Sequence, residues 1–390
     1  MSPPDPPAAV MPGMLTVAAL SVIMVVCAAA PAAAEAPWQL SGDFRGGVFI
    51  SERRTGGETL DRSEDLRWRL RLAAGRSLAE RLEFRARVAG TWSADDSGTR
   101  AYLRASSPSR TGVVAGDVTL DELQLRMRGA DEDWWLVVGR FQSRFLLPGV
   151  AAKSLDRNDG SNVGVAWRDG LHYSRRLGED WRMHLIATHR PRDGGGSVRR
   201  APLDFSATDS RMSLFTGLAS EQPWGPVRLR MIGLDWLPDA LATDGLAQPR
   251  RDDYFALVAR GAAEWPVGAG GMRLLAGAEL GFAPTTQRLP GVDSRPGGRA
   301  SGVAWQASVN LYDIRPGHHL GLVHGQSGGG WLLSNDYRSN ERLTELRYQR
   351  RFTRAVSMEL RGRYRETLVP LPGESRRHDR DAYARVSLRF

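Results

Sequence analysis

The sequence predicts an all-β protein, a closed antiparallel transmembrane β-barrel of about 16 strands with short periplasmic turns and long extracellular loops. Three observations predict it. Arginine and apolar residues alternate with a period of two in segment after segment, the links between segments alternate short and long, and an apolar leader precedes them all.

The leader comes first in the chain. Leu15 to Ala30 is an apolar run without charge, followed by Pro31 and by Ala32, Ala33 and Ala34, which offer an A-x-A cleavage site before Glu35. That order is the pattern of a secretory signal peptide, expected over residues 1–34 with the barrel over 35–390. Residues 1–14 hold no Lys or Arg, so the positive end rests on the terminal amine, or translation starts at Met11 or Met14. The alternatives fit less well. The run falls short of the roughly 20 residues of a membrane anchor, and Val25 and Val26 before Cys27 are not the small residues of a lipoprotein site.

Cleavage after Ala34 removes Asp5 and no base, so the formal charge of +9 rises by one. It also removes Cys27, the single cysteine. The remaining chain therefore has no disulfide framework, thiolate zinc site or thiol nucleophile. No cofactor is expected. A mean hydropathy of -0.36 resembles that of a soluble protein. A membrane barrel hides in the same way, because polar residues facing the lumen alternate with apolar residues facing lipid. The pI near 10.3 raises the question of nucleic acid. Such proteins gather their bases into a patch or arm, whereas here arginines recur along the whole chain and Lys153 is the sole lysine.

The strands follow from parity. In Leu66–Ala74, Leu66, Trp68, Leu70, Leu72 and Ala74 share one parity and Arg67, Arg69 and Arg71 the other. A strand sends these sets to opposite faces, whereas a helix would smear the arginines around its surface. Leu82 to Gly90 sets Phe84, Ala86 and Val88 against Glu83, Arg85 and Arg87, and Leu123, Leu125 and Met127 oppose Gln124, Arg126 and Arg128. Trp181, Met183, Leu185 and Ala187 alternate with Arg182, His184, Ile186 and Thr188, and Met358, Leu360 and Tyr364 with Glu359, Arg361 and Arg363.

Short links are expected at 76–81, 129–133, 177–180, 220–226, 261–270, 313–318 and 350–355. Longer links, richer in Gly, Pro, Asp, Asn and Ser, fall at 53–64, 93–117, 142–168, 190–209, 236–252, 282–299, 326–341 and 366–378. An even strand count leaves both termini at one end, so the first and last strands can pair and close the sheet. Trp38, Trp68, Trp92, Trp134, Trp135, Trp181, Trp224, Trp236, Trp265 and Trp305 fall near expected strand ends, as aromatic girdles do.

The last strand, AYARVSLRF, places Ala382, Ala384, Val386, Leu388 and the terminal Phe390 on one face. This ending resembles the terminal strand of Gram-negative outer-membrane barrels. With the strand number and link lengths, the whole mature chain resembles the porin superfamily. The resemblance implies an outer-membrane location among lipids, and passive diffusion of small hydrophilic solutes. It also implies a homotrimer, and recognition of Leu388 and Phe390 by the barrel-assembly machinery. The loop after the fifth strand is implied to fold inward as a constriction. Here it follows Leu136–Phe141 and occupies 142–168, with Lys153, Asp156, Arg157 and Asp159. The VGRF-x-x-x-F portion is similar to phosphate-selective porins.

Parity places Arg67, Arg69, Arg71, Arg85, Arg87, Arg126, Arg140, Arg182, Arg228, Arg230, Arg347, Arg361, Arg363 and Arg385 on the lumen wall. Glu83, Glu122, Glu345 and Glu359 are the fewer acids there. Excess guanidinium in a water-filled passage draws anions, and its charge persists at any physiological pH. Asp156 and Asp159 are expected to supply the acidic side of a transverse field. The bland alternative is that lumen acids neutralise the arginines and the charge merely solvates the wall.

Enzyme readings are weak, since no G-x-S-x-G, H-E-x-x-H or P-loop occurs. His318, His319 and His324 bracket an expected turn and lack a completing ligand set, so no metal is expected. A structural or secretion-linked barrel with a closed pore, or a lipid-modifying enzyme, is the alternative function.

Overall fold

The computed structural model describes residues 37–101, 115–160, 165–191, 210–220, 222–242, 251–268, 270–287 and 299–390. The leader 1–34 lies outside these residues, as do parts of the loops expected at 93–117, 142–168, 190–209, 236–252 and 282–299.

Among the described residues, sixteen antiparallel strands form one sheet that returns to its first strand. In chain order they are β1 (Gln39–Thr55), β2 (Glu58–Ala79), β3 (Leu82–Ser93), β4 (Asp117–Arg128), β5 (Trp134–Phe141), β6 (Arg168–Leu177), β7 (Trp181–Pro191) and β8 (Ser210–Ser220). There follow β9 (Val227–Ala242), β10 (Arg251–Val267), β11 (Met272–Phe282), β12 (Val303–Arg315), β13 (His318–Ser327), β14 (Glu341–Arg351), β15 (Val356–Thr367) and β16 (Arg377–Arg389). Arg100–Ala101 adds a two-residue parallel pairing beside β4. Each strand pairs with its neighbours in sequence, and β1 also pairs with β16 from Asp43↔Arg389 to Thr55↔Arg377.

The two faces are those that parity predicts. Leu66, Leu72, Val88, Val138, Leu185, Leu280, Leu322, Leu346 and Val386 are exposed on the outside, where a bilayer would cover them. Arg69, Arg71, Glu345, Arg347, Glu359, Arg361 and Arg385 are buried on the inside. The seam ends with Gly42 and Phe390 exchanging backbone hydrogen bonds of 2.8 and 3.1 Å. Position 42 is crowded, since a Cβ there would stand 2.5 Å from the Phe390 ring and 2.9 Å from the Arg71 carbonyl oxygen.

Several links are shorter than expected, and two of them show why. The loop expected at 53–64 is a tight turn at Gly56 and Gly57, whose φ values of 61° and 89° suit a hairpin turn. The ladder continues through Thr55↔Glu58 on polar side chains that meet across the strands, such as Ser51–Ser63 and Glu52–Thr59. The link expected at 261–270 is shorter because β10 runs on to Val267. Its Pro266 lies beyond the β9–β10 ladder, which ends at Val227↔Ala263, so its missing N–H costs no ladder bond on that side.

Tryptophan placement is split. Trp38, Trp224, Trp236 and Trp265 are exposed, but Trp135 turns inward against His172. His318 and His324 share the parity of exposed Leu322, while His319 is buried on the opposite face. The three histidines therefore do not converge.

Candidate functional site

The site is built by the segment between β5 and β6. Gln142 onward leaves the wall and turns into the barrel, where Phe145 N donates to Arg157 O (3.0 Å) and Leu147 N to Lys153 O (2.9 Å). This narrow hairpin buries Leu147, Val150, Ala151 and Leu155. Ala151 and Leu155 pack in one cluster with Leu237, Tyr254, Val258, Val323, Trp331 and Leu343. Buried apolar surface contributes about 25 cal/mol per Å², so the loop is docked as a small core. Close approach requires glycine at 321, where a Cβ would meet the Val150 side chain at 2.8 Å.

Backbone groups of the loop find polar partners on the wall, as buried groups must. Val150 N donates to Asn310 (2.8 Å), Ser154 N to Asp336 (2.9 Å) and Leu155 N to Glu279 (3.1 Å). Trp331 Nε1 donates to Leu155 O at 2.8 Å.

The loop charges are paired in the same way. Lys153 meets Glu345 at 2.9 Å, Asp156 meets Arg260 at 2.6 Å, Arg157 meets Asp235, and Asp159 meets Arg168 at 2.8 Å. All four loop side chains are at most 3% exposed. This corrects the expectation for Asp156 and Asp159. They are spent on the wall against which the loop docks and supply no free acidic face to the passage. Burial pushes the Asp156 carboxyl up, but Arg260 and Arg157 outweigh it and hold the group below its ordinary 3.8. Burial pulls the Lys153 ammonium below its usual range despite Glu345.

A second charge cluster lies on β1 to β4. Arg69 pairs with Asp43 (2.7 Å), Arg71 with Asp121 (3.3 Å), Arg87 with Asp121 and Glu122 (both 2.8 Å), and Arg85 with Glu122 (2.7 Å). A bulge opposite Arg87 and Val88 leaves Asp121 out of the ladder and lets consecutive carboxylates reach Arg87. Arg45 adds a further guanidinium, 3.9 Å from Asp43. The loop contributes Arg144, which is exposed and whose guanidinium is held by Gln142 and the Gly160 carbonyl rather than by an acid. The protein packed around the guanidinium displaces part of its hydration, and this, then the charge of Arg87, lowers its pKa. The cluster thus holds six guanidinium groups (Arg45, Arg69, Arg71, Arg85, Arg87, Arg144) against three carboxylates (Asp43, Asp121, Glu122).

The other expected wall residues divide three ways. Arg347 pairs with Glu345, Arg361 and Arg363 with Asp381, Arg385 with Glu359 (2.8 Å), and Arg140 with Asp169 (2.7 Å), so these are largely neutralised. Arg67 is half exposed beside Asp65 (2.6 Å), and Glu83 meets Arg128 at 2.9 Å. Arg126 and Arg182 make no ion pair among the described residues; Arg182 donates to Ser174 at 3.3 Å.

Arg228 and Arg230 are corrections. Arg228 is exposed at a register shift. Arg230 shares the parity of exposed Ile232 and Leu234, and its guanidinium lies 5.1 Å from Trp181 and 5.7 Å from Trp224. An arginine capped by two indoles at a strand end is the snorkelling arrangement of a membrane interface. Leu388 and Phe390 stand exposed on the outer face. Asp43, Arg45, Asp121, Arg144, Asp235 and Glu279 were not singled out from sequence. Parity carried into β1 would have found the first two, whereas the bulge and the loop docking leave no local signal.

A closed sixteen-stranded antiparallel barrel with a loop folded into its interior is a porin-type barrel. No family model matches the chain, and no characterised relative matches it in sequence. Solved structures do match in fold. The chain is similar to Pseudomonas putida OprB at high pH, with a TM-score of 0.58 and 11% identity over 90% of this chain and 94% of that one. It is also similar to the outer-membrane channel DcaP of Acinetobacter baumannii (TM-score 0.51, 15% identity, 92% and 98% covered). An anion-selective porin from Comamonas acidovorans gives 0.50 at 12% identity, covering 91% and 100%. At such identities the likeness establishes the fold.

Proposed function

We propose that this chain is an outer-membrane channel for passive diffusion of small hydrophilic solutes, with a preference for anions. The observation that carries the preference is the arginine excess on β1 to β4 facing Arg144 of the docked loop. In a low-dielectric sleeve such an excess raises the local anion concentration and repels cations. The exposed apolar outer face supports residence in a bilayer, and the outward Leu388 and Phe390 are available to an assembly receptor or to a neighbouring protomer of a homotrimer.

The test is the reversal potential of purified, refolded protein in a planar bilayer under a KCl gradient. Chloride selectivity is expected, and it should fall when Arg69, Arg71, Arg85 and Arg87 are changed to Gln. Cation selectivity in the wild type, or no change in the variant, would overturn the anion preference.

A further inference from the structure

One cavity inside the barrel departs in composition from the rest of the wall. It has a volume of about 580 Å³ and opens beside the docked loop, against the inner faces of β4 to β10. Its apolar side is formed by Trp135, Val137, Phe141, Phe145, Leu229 and Met231. His172 and His184 add two more rings, their Nε2 and Nδ1 atoms 3.2 Å apart. Phe145 stacks on Phe215 with centroids 5.2 Å apart and stands 5.0 Å from the His184 ring. A channel for small, fully hydrated ions has no use for such a surface.

The charged side is as distinctive. Arg126, Arg144, Arg182 and Arg260 line the cavity, and among the described residues no Asp or Glu does. Elsewhere on the inner wall, arginine is met by carboxylate, as at Arg69, Arg71, Arg87, Arg361 and Arg385. Here Arg126, Arg144 and Arg182 make no ion pair among the described residues, and the buried Nε of Arg126 has no hydrogen-bond partner. Arg126 instead lies 4.9 Å from the Trp135 ring centre, so the unpaired cation and the aromatic wall form one surface.

We infer that this cavity is a binding subsite for an amphipathic organic anion, a carboxylate carried on an aromatic or similarly compact apolar body. The carboxylate would take the guanidinium groups of Arg126 and Arg182, for which it is the matching bidentate acceptor. The apolar body would lie on Trp135, Phe145 and the histidine pair. The volume falls within the range of small-molecule sites and leaves room for a single-ring acid. The inference rests on the anion-channel reading and adds a solute class to it.

Block of the chloride current in planar bilayers tests it, with benzoate as probe and acetate and glucose as comparisons. The expected result is saturable block by benzoate at concentrations at least tenfold below any acetate effect, and none by glucose. Arg126→Gln with Arg182→Gln should weaken benzoate block about tenfold or more, the scale of a lost charged hydrogen bond. Phe145→Ala should weaken benzoate and leave acetate unchanged. Equal action of benzoate and acetate on wild-type protein, or block by glucose alone, would overturn the subsite while leaving chloride selectivity standing. Cation selectivity would remove both readings at once. The wild-type comparison needs no variant to fold.

Discussion

Replacing Asp235 by Asn should loosen the docked loop without opening the barrel. Arg157 is 2% exposed, sits 4.2 Å from the centre of the Phe215 ring, and has Asp235, 3% exposed, as its carboxylate partner. Removing one member of a buried ion pair costs about 3–5 kcal/mol, because the other charge is left without compensation. At about 1.4 kcal/mol per factor of ten, the docked-to-undocked ratio should fall on the order of a hundredfold to a few thousandfold. That cost lands on the loop, since the ladder hydrogen bonds of β9 are backbone bonds that the substitution leaves alone. Hydrogen exchange read by mass spectrometry on peptides spanning residues 150–158 reports this ratio when local opening is fast. Exchange there should accelerate by the same factor, while peptides from β15 and β16 keep their protection. Adding Arg157→Met to Asp235→Leu should restore most of the protection, because an apolar pair of similar volume carries no desolvation penalty. Loop protection unchanged in the single variant, or lost equally in strands and loop, would refute the argument.

Three further outcomes follow from the same geometry. Arg228→Gln with Arg230→Gln should leave the reversal potential unchanged, in contrast to the inner-wall substitutions, because Arg230 stands on the outer face with Trp181 and Trp224. The Asp156 carboxyl is held below its ordinary 3.8, so its contribution to docking is full above that value and lost as pH falls through the lower folded-state pKa. In single-channel conductance at fixed salt, an Asp156→Asn variant should accordingly match the wild type only in strong acid and differ from it between pH 7 and pH 4, where the Asp156 contribution is intact. Gly42→Val should lower the yield of folded barrel in refolding followed by circular dichroism, since the new side chain occupies the place of the Phe390 ring; Phe390→Ala in the same chain should recover part of it.

The barrel was legible because each strand repeats one physical statement: apolar outside, charged inside, at a period of two. Leu66 to Ala74 states it without interruption, and the structure places Leu66 and Leu72 outside and Arg69 and Arg71 inside. Parity fails where the backbone departs from strict alternation. At β4 the bulge sends Asp121 and Glu122 to the same arginine, and at β9 the register shift at Val227 and Leu229 puts Arg228 at an irregular position. The hairpin at Gly56–Gly57 reads as loop because its strands carry polar residues on both faces, which suits pairing beyond the apolar band. The inward loop was placed by family resemblance. The partners of its charges could not be read, since Asp156 and Arg260 lie 104 residues apart and only the docked geometry joins them.

The seam between β1 and β16 stands apart from every other strand contact in its distance along the chain. All other neighbours in the ladder are joined by a single turn or loop, whereas this pair joins residue 42 to residue 390. Closure entropy grows by roughly 0.6 kcal/mol for each doubling of the enclosed chain. About seven doublings separate the two-residue hairpin at Gly56–Gly57 from the whole barrel, or about 4 kcal/mol that only this junction bears. Contacts of such separation form late in folding. Until they form, β1 and β16 are two open edges with unpaired N–H and C=O groups, each a template for another strand. The step most exposed to aggregation is thus the last one, and the Phe390 ring over Gly42 marks the place where the circle closes.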